Sequence, residues 1–202
     1  MEKTIILIGP MMAGKSTVGR LLSERLGLEQ YILDDLRWDY FNEIGYDEEE
    51  ARRIATSEAG MLGLLAYWKP FEVHAVERAL ADHSGCIIDF GAGYTVQKDA
   101  DLFGRVEHAL APYKHVILLL PSPDPDESIA ILNERMAALL RAENQPEERI
   151  PDVLKANEEF VRHPANGRLA KQVVYTEGKT PEETCTEIVR LIGLMAVNDT
   201  AC

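Results

Sequence analysis

The chain has 202 residues, 46% hydrophobic and 27% charged, which is enough for one substantial core and short for two, so a single domain is expected. Its net charge of −13 argues against a nucleic-acid surface, since binding to a phosphate backbone relies on a basic patch. No apolar run approaches the ~20 residues of a membrane span, and Thr4 to Ile8 is too short for a secretory signal.

Cys86, Cys185 and Cys202 show no C-x-x-C or Cys/His spacing, so neither a disulfide framework nor a zinc site is indicated and a reducing cytoplasm is the expected setting. In chain order, Ile5-Ile6-Leu7-Ile8 reads as a buried parallel strand, and Val18, Leu21, Leu22 and Leu26 recur at helical spacing before Gly27. Between them Gly9-Pro10-Met11-Met12-Ala13-Gly14-Lys15-Ser16 completes the pattern G-x-x-x-x-G-K-[ST]. In that context backbone N–H groups of the loop, from Gly9 through Met12, Ala13 and Gly14, close around phosphates at a helix N-terminus. Lys15 is expected to reach the β/γ-phosphates and Ser16 to ligate Mg²⁺, with Thr17 in support. The motif therefore implies a bound nucleotide together with Mg²⁺.

Tyr31-Ile32-Leu33 reads as a second strand ending in Asp34-Asp35. A long helix is expected from about Asp47 to Trp68, its inner face formed by Ile54, Ala55, Ala59, Leu62 and Ala66, with Lys69-Pro70 as its break. A second helix carrying Val73, Val76 and Leu80 leads into the strand Cys86-Ile87-Ile88, followed by Asp89. Leu102, Val106, Ala109 and Leu110 mark another helix, Val116 to Leu120 another strand, and Ile129 to Leu140 a further helix. The polar stretch of residues 142–151, with two prolines, reads as a short mobile lid. A helix from Asp152 to Val161, the strand Gln172 to Tyr175 and a closing helix behind the capping box Thr180-Pro181-Glu182-Glu183 complete the chain.

This alternation predicts a three-layer α/β/α P-loop NTPase fold on a five-stranded parallel sheet, with ligands at the carboxyl ends of the strands. Asp34, Asp35 and Asp89 stand there. Asp89 suits a metal, and of Asp34 and Asp35 one suits the metal and one the substrate, to orient or deprotonate an attacking hydroxyl. Arg135, Arg141 and Arg149 are the cations near the lid that can neutralise charge on a transferring phosphoryl group, and Arg149, inside the lid, is the first choice. His163 reads as structural and Asp47 to Glu50 as the first turn of a helix. Trp38, Tyr40, Phe41 and Tyr46 fit either the wall of an acceptor pocket or core packing.

Taken together, the stretch Gly9 to Arg20, the Gly27-Leu28 turn into an acidic strand end, Gly91-Ala92-Gly93 and Arg162-His163-Pro164 resemble the shikimate kinase-like family of P-loop small-molecule kinases. The resemblance implies an ATP- and Mg²⁺-dependent enzyme, cytoplasmic and monomeric, that moves the γ-phosphate to a hydroxyl of a small-molecule acceptor. It places Asp35, Gly91, Ala92 and Gly93 on the substrate side and Arg162 on a substrate carboxylate.

Two departures point to a different acceptor. The family's Asp-x-Asp becomes Asp34-Asp35-Leu36, and its Phe-Arg becomes Phe71-Glu72, so that an anion replaces the cation that holds the substrate carboxylate. An acid there favours a cationic, amine-bearing or polyhydroxylated acceptor. A nucleoside or nucleotide kinase is the enzymatic alternative, and an ATP-dependent switch or binding module the non-enzymatic one.

Overall fold

The computed structural model describes residues 3–193. Its sheet is ordered β2-β3-β1-β4-β5 with every pairing parallel, where β1 is Ile5–Ile8, β2 Gln30–Ile32, β3 Ile87–Asp89, β4 His115–Leu120 and β5 Gln172–Tyr175. The central strands are unbroken apolar runs because both faces are covered. Period-2 alternation splits their side chains: Ile6, Ile8, Ile88, Val116 and Leu118 enter one core, and Ile5, Leu7, Ile87, Ile117 and Leu119 the other.

The first core is closed by α2 (Leu33–Glu43), α4 (Gly60–Asp82), α5 (Ala100–Leu110) and α8 (Pro164–Leu169), which contribute Phe41, Val76, Val106 and Leu169 among others. The second is closed by α1 (Lys15–Leu26), α6 (Pro125–Ala142) and α9 (Pro181–Leu191) through Leu22, Leu132 and Ile188. Caps fix the helix ends. Asp47 accepts from the N–H groups of Glu49 and Glu50 to start α3 (Glu48–Ala55), Asp99 and Asp124 start α5 and α6, and the Thr180/Glu183 capping box starts α9. The left-handed Gly27, φ 64°, ends α1 as expected.

The segment after β2 departs from the sequence reading. Leu33 is the first residue of α2 rather than the end of a strand, because Asp34 and Asp35 are at home in a helical first turn, where the dipole favours acids. The expected helix over Asp47 to Trp68 is two helices. The hydroxyls of Thr56 and Ser57 bond back to carbonyls of residues 52–54 and stop α3, and α4 starts at Gly60. Its expected inner face is also displaced: Ala55, Ala59, Leu62 and Ala66 are exposed, and Ala51 and Leu64 are buried.

Nor does Pro70 break the chain's longest described helix. A mid-helix proline costs ~3 kcal/mol, and the buried face formed by Leu64, Phe71, Val73, Val76, Ala79 and Leu80 outweighs it. Asp89 lies inside β3 as its last residue rather than after it. The polar stretch of residues 142–151 is the end of α6, a turn, a 3-10 turn at Glu147–Arg149 and the start of α7 (Ile150–Arg162), with Ile150 alone of these residues buried. Cys86 and Cys185 are buried free thiols, and Cys202 falls outside the described residues.

Candidate active site

The phosphate loop leaves the end of β1 through three left-handed residues. Gly9 has φ 139°, and a Cβ there would sit 2.5 Å from the Leu119 carbonyl oxygen, so the position admits glycine alone. Met12 (φ 64°) and Gly14 (φ 90°) continue the curl, the alternation of hands that makes an anion-binding nest of backbone N–H groups. Two helices brace it from outside. The fully buried Asn157 of α7 accepts from the Met11 N–H at 3.0 Å, and Arg135 of α6 donates to the Met12 carbonyl at 3.3 Å.

Lys15 opens α1 with only 8% of its surface exposed. Its ammonium donates to the carbonyls of Gly9 (3.1 Å) and Pro10 (2.9 Å). Burial pushes its pKa down, and the nearby Asp89 and Asp34 carboxylates oppose that shift. Asp89 is paired in register with Leu7 on β1 and Ile32 on β2, which aims it at the same loop. Ser16 donates its hydroxyl to Asp89 Oδ2 at 2.5 Å. Asp89 is 2% exposed, and burial raises its pKa, with Lys15 and Ser16 pulling the other way.

A hydroxyl and a carboxylate converging beside a phosphate-binding loop are the donor chemistry of a hard divalent cation. Among the described residues no group of three or more His, Cys, Asp or Glu forms a metal cage.

Across the sheet end, Asp34 lies directly on the Gly91-Ala92-Gly93 loop: a Cβ on Gly91 would sit 2.6 Å and 2.7 Å from its two carboxylate oxygens. Arg37, one turn along α2, reaches Asp34 at 3.4 Å, and the buried Tyr94 hydroxyl stands beside it. Burial first, then the charges of Asp34 and Glu72, push the Tyr94 pKa up. Asp35 is exposed and acts electrostatically on Asp89.

Glu72 corrects the reading of that position as an anion offered to substrate. It is 5% exposed and packed under Gly93, whose Cβ would sit 2.5 Å from Glu72 Oε1. The ammonium of Lys69 neutralises it at 2.9 Å and also donates to the Gly93 carbonyl at 2.9 Å. Burial raises the Glu72 pKa, and Lys69 opposes that rise.

The arginines separate by environment. Arg135 touches the phosphate loop, Arg141 pairs with Glu147 at 3.1 Å, and Arg149 is exposed with no side-chain partner among the described residues. Arg162 directs its guanidinium to Asp126 at the start of α6. His163 caps α8 by accepting from the Ala165 N–H, and burial lowers its pKa. Tyr40 and Phe41 are core residues, whereas Trp38 and Tyr46 line a cavity with Asn42, Leu64 and Trp68. Reasoning from the sequence missed Arg37, Lys69, Tyr94 and Asn157. Lys69 three residues before Glu72 on one helix was the available signal, since i,i+3 residues face each other.

This sheet order, with the loop between β1 and α1, defines a P-loop NTPase fold of the kinase type. No family model matches the chain. The shikimate kinase of Streptomyces coelicolor is 31% identical over 179 residues, covering 89% of each chain, and that of Tolumonas auensis is 26% identical over 96% of this chain and 98% of its own. In fold, the shikimate kinase of Acinetobacter baumannii in complex with shikimate matches with a TM-score of 0.62 at 22% identity, covering 94% of this chain and 92% of its own. A gluconokinase from Sinorhizobium meliloti matches with a TM-score of 0.53 at 16% identity, covering 96% and 94%. The chain belongs to the shikimate kinase-like family of P-loop kinases, and it is an ATP-dependent small-molecule kinase. Among the described residues no helix is long and apolar enough to cross a membrane.

Proposed function

We propose that this enzyme transfers the γ-phosphoryl group of ATP to a hydroxyl of a small metabolite other than shikimate. The observation that carries this reading is the placement of Asp34. Its carboxylate rests on Gly91 at the acceptor end and acts electrostatically on Lys15 and Asp89 at the nucleotide end. In this reading Asp34 accepts the hydroxyl proton as the acceptor oxygen forms its bond to the γ-phosphorus. The bond from that phosphorus to the β–γ bridging oxygen breaks, and ADP leaves with the electron pair.

Lys15, with the amides of Gly9, Met12, Ala13, Gly14, Ser16 and Thr17, holds the phosphates. Ser16 and Asp89 hold Mg²⁺, with Asp35 supporting the metal side. A bound Mg²⁺ supplies charge neutralisation on the phosphate oxygens. Arg149, without a side-chain partner among the described residues and on the segment that would close as a lid, adds a cation to the transferring group. Gly91, Ala92 and Gly93 form the acceptor's floor.

Two features support an acceptor unlike shikimate. Leu36 stands where the family's second acid would be, and the cation of the family's Phe-Arg is replaced by a buried, already neutralised Lys69–Glu72 pair. The test is ADP release from ATP and Mg²⁺ across shikimate, gluconate, aminoglycosides, other amine- or hydroxyl-bearing metabolites and nucleoside monophosphates, with the Lys15→Ala protein as blank. Stimulation by a hydroxyl compound other than shikimate is expected. Stimulation by shikimate alone overturns the acceptor assignment, and stimulation by nucleoside monophosphates alone moves the enzyme to the nucleotide kinases.

A further inference from the structure

Asn157 is the polar residue that α7 buries completely, on a face it shares with Ala156 and Phe160. A leucine has nearly the same shape and buries no amide there, so the reason for asparagine lies in its partners. Its Oδ1 accepts from the Met11 N–H at 3.0 Å. Its Nδ2 points the other way, to Asn133 Oδ1 of α6 at 3.5 Å, and Asn133 in turn donates to Glu158 at 3.3 Å. Asn133 thus settles which end of the Asn157 amide faces the phosphate loop.

The N–H that Asn157 takes belongs to the same peptide group as the Pro10 carbonyl. In a planar trans peptide the two bonds point in opposite directions, so drawing the Met11 N–H outward to α7 turns the Pro10 oxygen inward. There it accepts from the Lys15 ammonium at 2.9 Å. One peptide plane is therefore gripped from both sides, by α7 through Asn157 and by Lys15. The Met11 side chain is held from the same helix, since it packs on the cluster of Ala92, Val96 and Phe160, and Phe160 stands at i+3 from Asn157.

The plane matters because of what is left of the ammonium. An ammonium has three N–H donors, and Lys15 spends two on the carbonyls of Gly9 (3.1 Å) and Pro10. With two donors fixed, the direction of the third is fixed as well, and that is the one available to a phosphate oxygen. Rotation of the Pro10–Met11 plane would withdraw one of the two carbonyls and leave the ammonium free to turn.

We propose that Asn157 is a positioning residue for Lys15: by holding the Pro10–Met11 peptide plane it aims the remaining N–H of the ammonium at the nucleotide phosphates. The inference rests on Lys15 as a phosphate ligand and is independent of the identity of the acceptor. It assigns α7 a part in nucleotide binding that is exerted through the backbone of the loop, with no contact between Asn157 and the nucleotide.

Met11 is one of six methionines, so ¹⁵N-methionine labelling isolates its amide signal, which the Met11→Leu variant assigns. Hydrogen exchange at that amide is measured in the parent, in Asn157→Leu and in Asn157→Asp, each checked for a cooperative thermal transition. Calorimetry gives the affinity of each, and of Lys15→Ala, for ADP and for the imido analogue of ATP, with Mg²⁺ present. Leucine matches the size and lacks the acceptor, so Met11 exchange should quicken about tenfold or more and both nucleotides should bind about tenfold more weakly. Aspartate keeps an accepting oxygen in either protonation state and should restore both readouts to within about threefold of the parent. Should the leucine variant lose its cooperative transition, Asn157→Ala removes the same oxygen without adding bulk and takes its place.

Faster Met11 exchange with unchanged nucleotide affinity overturns the inference, because Asn157 would then hold the peptide without reaching Lys15. Unchanged exchange in the leucine variant overturns it as well. So does equal weakening by leucine and aspartate, the pattern of a packing role. Lys15→Ala binding both nucleotides as tightly as the parent is a different failure: it removes Lys15 from the phosphates, and the role of Asn157 falls with it.

Discussion

The two ends of the active cleft are held by different forces. At the nucleotide end the chain's own backbone does most of the work: a glycine whose Cβ position is filled by the Leu119 carbonyl, left-handed residues at Met12 and Gly14, and a lysine bonded to carbonyls of its own loop. At the acceptor end the work falls to side-chain charge. Asp34, Arg37, Lys69, Glu72 and Tyr94 come from two helices and a loop and balance one another under the glycines of residues 91–93. Backbone geometry serves any triphosphate and leaves little to vary, whereas a balanced charge cluster is retuned by moving one cation a turn along a helix. In the proposed reading the first end sets the reaction and the second sets the acceptor.

If the division is right, Lys15→Ala produces the largest loss, about a thousandfold or more in kcat, with a weaker nucleotide KM. Steady-state ADP release with the best acceptor measures it, and retained turnover would remove the P-loop from the chemistry. The pH profile sharpens the same end. Burial raises the Asp89 carboxyl pKa, so its metal-binding anion is lost at a higher pH than for an ordinary aspartate as acid is added. Burial lowers the Lys15 pKa, so its charge is lost at a lower pH than for an ordinary lysine as base is added. Activity should therefore occupy a plateau narrowed from both sides, and Asp89→Asn should remove the acid limb with the residual rate.

Next in size is the contrast between the adjacent acids. Asp34→Asn is expected to cost about a hundredfold in kcat, in the range of a lost general base, and Asp35→Asn about tenfold or less with a raised Mg²⁺ requirement. Equal losses from the two would erase the distinction between an acid facing the acceptor and one facing the metal. Gly91→Ala follows, because its methyl group would displace the Asp34 carboxylate it overlaps. The acceptor KM should rise about tenfold while the nucleotide KM stays within about twofold. A rise in both would mean that the two ends are not separable.

The same division governs how much was legible in the sequence. The P-loop could be read whole, because eight consecutive residues carry its glycines, lysine and hydroxyl, and strands such as Ile5–Ile8 announce themselves by composition. The remaining strands of the parallel sheet and the helix behind the capping box were legible for the same reason, whereas the order of the strands was not. Asp34 and Asp89 could be singled out because acids at strand ends stand at the ligand-binding edge of this topology, but which of Asp34 and Asp35 faces Gly91 depends on a helix starting at Leu33, a boundary set by one turn's dipole. Glu72 was misread because its meaning depends on Lys69, and Lys69 stood beside a proline that looked like a helix end. Pro70 lies within α4 because tertiary burial outweighs a local rule.

The smallest effect on catalysis should come from the pair that most affects stability. Lys69→Met leaves Glu72 buried and unpaired beneath Gly93, at a cost of about 3 kcal/mol by the behaviour of broken buried pairs, while the acceptor KM moves only severalfold. The double variant Lys69→Met/Glu72→Leu should regain most of that stability, since the loss comes from a stranded charge and not from missing packing. The pH dependence gives the sign. Glu72 already has a raised pKa in the folded protein, and removing Lys69 removes the influence that opposes the rise, so the folded variant binds a proton at Glu72 more tightly than the unfolded chain does. Its stability relative to the parent must then improve as pH falls through that raised value and worsen as pH rises through it, the reverse of an acid whose folded pKa is depressed. Urea denaturation of the two proteins from pH 5 to 8 measures this. A deficit that stays constant over that range would mean that Glu72 escapes to solvent once Lys69 is gone, and the charge balance under the glycine loop would then be a surface feature rather than the frame of the acceptor site.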